Sequence, residues 1–120
     1  MEPGASCGAS CHGAEFAVAG TVYPSAHEPD TCYGVNIPDG GVEAPDAGVV
    51  VTGADGTPIW LSIDMGGNFL TTTSVPAPFT AKVVNGDRER AMVGATTVGD
   101  CNSCHTEYGA NGAPGRIMLP

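Results

Sequence analysis

Five residues near the C-terminus, Cys101-Asn102-Ser103-Cys104-His105, carry the spacing C-x-x-C-H. Two thiols three positions apart add across the two vinyl groups of one porphyrin, and a histidine directly after the second thiol swings beneath the ring to bind its iron. The pattern is the attachment signature of a c-type haem. Given the residue frequencies of this chain, it arises by chance in about one such sequence in 200. Cys7-Gly8-Ala9-Ser10-Cys11-His12 repeats the arrangement with one extra residue, C-x-x-x-C-H, a loop that still reaches both vinyls. Four of the five cysteines and two of the three histidines thus fall in matching groups. The expectation is two covalently bound haem c groups, one attached through Cys7 and Cys11, the other through Cys101 and Cys104. His12 and His105 are then the proximal iron ligands. Cys32 is left over and reads as a buried thiol or an intermolecular bridge.

The same cysteines admit other chemistry. Cys7, Cys11, Cys101 and Cys104 together match the tetrahedral demand of a structural zinc, although that account gives His12 and His105 no role. Disulfides are the other alternative, but cysteines separated by two residues make poor structural bridges. Either would describe a haem-free structural sandwich.

Electron-transfer haems usually carry a second axial ligand. One histidine remains, His27, in the polar stretch Ser25-Ala26-His27-Glu28. It is expected to be a distal ligand, with a solvated surface histidine as the alternative. The other iron then takes a thioether, and Met92, on the strand leading into the second motif, is best placed. An ordinary core methionine is the plain alternative there, and Met65 and Met118 are further candidates. Arg116, shortly after the second motif, is a candidate partner for a haem propionate.

Short strands must position these groups. Phe16–Tyr23 alternates apolar residues as a half-buried strand does. Residues 24–47 form a long irregular loop rich in proline and acidic residues. Strands follow over Gly48–Thr52, Pro58–Asp64, Phe69–Thr73, Phe79–Val84 and Arg88–Ala95. The last two flank Asn85-Gly86, a strong hairpin signal. No helical periodicity is evident. The fold class is therefore all-β, a small sandwich of about six to seven strands with haem-binding loops at both chain ends. A single domain is expected over 1–120, with an N-terminal haem-binding segment at 1–14, the sandwich at 15–97 and a C-terminal haem-binding segment at 98–120. With strands running alternately up and down, both haem motifs fall at one pole and His27 starts at the other. His27 then reaches iron by a folded-back loop, or it ligates the haem of a neighbouring copy and builds a filament.

Composition narrows the function classes. Eighteen glycines and ten prolines among 120 residues favour turns over long helices. A net charge of −9 with only four basic residues argues against nucleic-acid binding and suits a basic partner or simple solubility. No stretch approaches the roughly 20 apolar residues of a membrane helix. Met1-Glu2-Pro3-Gly4 lacks a basic region followed by an apolar run, so the chain reads as a mature form whose export signal has been removed.

The runs Val18-Ala19-Gly20-Thr21-Val22, Gly48-Val49-Val50-Val51-Thr52 and Gly66-Gly67-Asn68-Phe69 resemble carboxypeptidase regulatory-like (transthyretin-like) sandwich domains. With the two cysteine motifs, and with Gly112-Ala113-Pro114-Gly115-Arg116-Ile117 after the second, residues 7–120 resemble small secreted dihaem or multihaem c-type cytochromes. That resemblance implies extracytoplasmic electron transfer, in periplasm, at the cell surface or outside the cell. The implied partners are redox proteins or extracellular electron acceptors, with a homo-oligomer or filament as a further form. The chain is then an electron carrier and not an enzyme. A dihaem peroxidase is the alternative, requiring one open iron position and a substrate pocket that 120 residues leave little chain to build.

Overall fold

The computed structural model describes residues 4–5, 16–29, 34–36 and 42–120. Cys7, Cys11, His12 and Cys32, and with them the first motif, lie outside the described residues. The strands are β1 (Val18–Tyr23), β2 (Ala47–Thr52), β3 (Pro58–Ser62), β4 (Asn68–Thr71), β5 (Thr80–Asn85), β6 (Arg88–Ala91) and β7 (Ile117–Met118). A 3-10 turn at Cys101–Ser103 is the only helical element among the described residues. No helix among them is long and apolar enough to cross a membrane.

The strands form a small β-sandwich. One sheet has the order β3-β2-β5-β6 and is antiparallel throughout; the other has the order β4-β1-β7. Valines and aromatic side chains at alternate positions face each other between the sheets. Val18, Val22 and Phe69 come from the smaller sheet, and Val49, Val51, Leu61 and Val83 from the larger. Each such side chain contributes about 1.5–3 kcal/mol when fully buried. Val35, from the long loop after β1, is also fully buried in this core, and its N–H donates to the Val22 carbonyl.

Two differences from the expected strands have clear causes. The β5–β6 hairpin turns at Gly86-Asp87, with Asn85 paired to Arg88, because Gly86 takes the first central position at φ 63. That is where the tight II′ hairpin turn requires a glycine. β6 ends at Ala91, short of the expected Ala95, and its four residues are exposed. Its charged residues Arg88, Glu89 and Arg90 protect a free sheet edge from pairing with another chain.

β1 departs furthest from expectation. All six of its residues are buried, where alternation suggested a half-buried strand. Val18 and Val22 face the core, while Thr21 and Tyr23 lie under Gly4, Asn102 and Arg116. The C-terminal segment supplies this third layer. Asp100 forms a parallel bridge to Ala19, and β7 pairs in parallel with Val22 and Tyr23. Residues 101–116, the second motif included, are thus an excursion from a strand that follows the edge of β1. This overturns the expectation from strand counting that His27 starts at the pole opposite the second motif. The chain runs parallel to β1 through that motif, so it reaches the end of β1 from which the turn carrying His27 departs.

Candidate metal-ligand site

The Cys101–His105 segment is a tight turn. Ser103 N–H donates to the Asp100 carbonyl, and the N–H groups of Cys104 and His105 both donate to the Cys101 carbonyl. This winding brings both thiols and the imidazole onto consecutive positions of one small loop. The side chains of Cys101 and Cys104 are both half-buried. Cys101 packs against the core beside Gly20, where a β-carbon would come within 2.9 Å of Cys101 Cβ and 2.7 Å of Phe69 Cζ. The missing side chain of Gly20 is what lets the turn lie against β1.

Asn102 fastens the turn. It is 2% exposed; its Oδ1 accepts from Thr21 N–H at 3.0 Å, and its Nδ2 donates to Ala5 O at 3.0 Å and Thr21 Oγ1 at 3.1 Å. Thr21 Oγ1 in turn donates to Asn68 Oδ1 at 2.7 Å and accepts from Gly4 N–H at 3.2 Å. A spacer position of the motif is therefore the strut between the motif and β1. Sequence reading assigned Asn102 no part, because spacer residues carry no signal of their own.

The two described histidines share one local chemistry. His105 Nδ1 lies 2.8 Å from the Gly115 carbonyl, and His27 Nδ1 lies 2.7 Å from the Glu107 carbonyl. A carbonyl only accepts, so each Nδ1 carries a proton, and in the neutral ring Nε2 then holds the lone pair, directed away from the carbonyl. Metal-ligating histidines are oriented and kept in one tautomer in this way. His27 also stacks on Tyr108, with ring centroids 5.6 Å apart at 27°. Gly115 stands between the two imidazoles. Its carbonyl holds His105, and a β-carbon on it would lie 3.3 Å from His27 Cε1 and Nδ1.

Arg116 is 3% exposed, with its guanidinium 5.0 Å from the centre of the Tyr23 ring. Nε donates to Glu28 O at 2.8 Å, and Nη1 donates to Gly4 O and His105 O, each at 3.3 Å. These backbone carbonyls surround the group that sequence reading matched to a propionate. Met92 lies beyond β6, its N–H bonded to the Ala81 carbonyl, at the edge of the four-stranded sheet. Met118 lies in β7 opposite Tyr23, and Met65 is 73% exposed in the turn before β4.

Among the described residues, no group of three or more His, Cys, Asp or Glu side chains is gathered to hold a metal ion by itself. The chain matches no protein-family model, no curated protein and no solved structure.

Proposed function

We propose that the chain is an extracytoplasmic dihaem c-type cytochrome that carries electrons. The observation that carries this reading is the pinned imidazole of His105. It follows two cysteines in C-x-x-C-H spacing on one tight turn, and its Nδ1–H is committed to Gly115 O, leaving Nε2 as a ligand atom. The donor set fits a haem: two cysteines for covalent attachment and one imidazole that could hold its iron through Nε2. A haem needs only one or two protein ligands at iron, because the porphyrin supplies the remaining four. When bound, haem supplies a one-electron ferric/ferrous couple.

The chain's own residues do the positioning. Asn102 and Gly20 seat the turn against β1, so that thiols and imidazole are held by a sheet. His27, presented in the same tautomer, is the second axial ligand this reading assigns. Met92 remains the thioether expected for the other iron. Cys7, Cys11 and His12 repeat the donor set at the other end of the chain. The net charge of −9 suits a basic redox partner.

The test is the intact mass of the chain, matured with haem outside the cytoplasm and measured under denaturing, reducing conditions. A mass excess of two haems is expected. An excess of one means that the longer first motif is not used. No excess refutes the reading and leaves the zinc or disulfide sandwich.

A further inference from the structure

The imidazoles of His27 and His105 are held back to back. Gly115 O accepts from His105 Nδ1–H at 2.8 Å, and the side-chain direction of the same glycine points at His27, whose Cε1 and Nδ1 stand 3.3 Å from where a β-carbon would be. His27 Nδ1–H donates in turn to Glu107 O at 2.7 Å, two residues after His105. One short loop, 105–115, therefore grips both rings by their Nδ1 edges. The backbone on either side of His27 is tied to the next residue as well. Arg116 N–H donates to Ala26 O at 2.7 Å, and Arg116 Nε donates to Glu28 O at 2.8 Å.

Two imidazoles that close one haem iron from opposite faces need the reverse arrangement. Their Nε2 atoms point at each other, and their Nδ1 edges lie at the far ends. A metal–nitrogen bond of about 2 Å puts each Nδ1 about 4 Å from the metal. With a carbonyl 2.8 Å behind the first Nδ1, the second Nδ1 would stand roughly 10 Å from that oxygen. A β-carbon lies no more than about 3.5 Å from the carbonyl oxygen of its own residue, so the 3.3 Å approach keeps His27 Nδ1 within about 7 Å of Gly115 O. That gap does not close while His27 stays bonded to Glu107 O, the contact that fixes its tautomer.

We infer that His27 does not serve the iron held by His105 of its own chain but presents Nε2 to a second haem iron. The 105–115 loop then carries neighbouring ligands of two irons. The inference rests on the c-type cytochrome reading and states which iron each imidazole addresses. His27 is exposed, so its ring is open to an iron approaching from outside the loop. The chemistry asked of that iron is one vacant axial position, whether it belongs to the same chain or to a second copy. The iron of His105 is then the one left for a thioether.

The test is proton NMR of the haem-loaded protein in its ferrous state, after intact mass has counted the haems. An iron-bound imidazole has its ring protons shifted strongly upfield and gives NOEs to the meso protons of the porphyrin it serves. NOEs to the β-protons of Cys101 and Cys104 identify the porphyrin attached there. His105 is expected to contact that porphyrin, and His27 a different one. NOEs from His27 to the porphyrin of its own chain's His105 overturn the inference. A His27 ring with unshifted protons overturns it too and makes this a surface histidine. Isotope-filtered NOEs in a mixture of labelled and unlabelled protein separate an iron of the same chain from one in a second copy. A chain whose mass shows no haem overturns the cytochrome reading itself, which distinguishes that failure from the other two.

Discussion

Replacing Asn102 with alanine tests the claim that a spacer residue anchors the motif. Three hydrogen bonds go with the side chain. Thr21 N–H, in a residue 1% exposed, loses its acceptor in the interior. An unsatisfied buried donor costs about 1–3 kcal/mol. The bonds to Ala5 O and Thr21 Oγ1 add about 0.5–1.5 kcal/mol together, because Thr21 Oγ1 keeps Asn68 and Gly4 as partners. The expected loss is about 2–4 kcal/mol, or roughly 8–16 °C in melting temperature for a domain of this size. Chemical denaturation followed by circular dichroism measures the loss, and hydrogen exchange at Thr21 N–H locates it. Ser103→Ala is the matched control: its hydroxyl bonds only locally, to Asp100 O at 2.7 Å with Cys104 Sγ at 3.8 Å, and its removal is expected to cost under about 1 kcal/mol. If Asn102→Ala matches Ser103→Ala in stability and leaves Thr21 exchange unchanged, the strut does not exist as described.

Gly20→Ala forces a β-carbon between Cys101 and Phe69 and is expected to destabilise by about 1–3 kcal/mol. Gly94→Ala, which meets nothing within 4 Å, is expected to stay within about 0.5 kcal/mol in the same denaturant titration. Gly115→Ala brings a β-carbon against Ala26 O and the His27 ring, so the ring nitrogen resonances of both His27 and His105 are expected to shift in 15N NMR. Burial pushes the Asp64 carboxyl above its ordinary 3.8, outweighing the hydrogen bond from Asn68 N–H that lowers it. A raised carboxyl favours folding most when protonated, and that advantage is lost as pH rises through its folded value. Asp64→Asn keeps an acceptor for Asn68 without the ionisation penalty. It is therefore expected to be more stable than the parent at neutral pH, and the difference should vanish below 3.8 in melting curves taken across the range.

The sandwich was legible because its strands obey a local rule. Ile59 and Leu61 alternate on β3, and Val49 and Val51 on β2, so the core face could be read residue by residue. What escaped depends on contacts between distant parts of the chain. β7 has two residues and no period to detect, yet it fixes the path of the C-terminal segment beside β1. The full burial of β1 follows from a covering layer that begins almost 80 residues later, at Asn102. Cys101, Cys104 and His105 could be singled out together because the C-x-x-C-H spacing is a local pattern, and the structure winds them into one tight turn. The roles of Asn102, Gly115 and Arg116 were not legible, since each acts through hydrogen bonds or close approaches that only the folded chain creates. His27 was singled out by being the last unassigned histidine. Its neighbourhood with the His105 loop was hidden by the assumption that strands simply alternate direction.

The excursion from Asp100 to Ile117 leaves and rejoins β1 at Ala19 and Val22, only three residues apart. At about 3.3 Å per residue, its two ends stand roughly 10 Å from each other. A linker of three or four residues closes that gap, and closure entropy rises only slowly with loop length, by about 0.6 kcal/mol per doubling. The stretch therefore enters and leaves the sheet at nearly one place, while Asn102 ties it to β1 in between. The part of it between Ser103 and Gly115 can change in length while the entry and exit rungs stay put, provided that Asn102 and Arg116, which cover Thr21 and Tyr23 of β1, are kept.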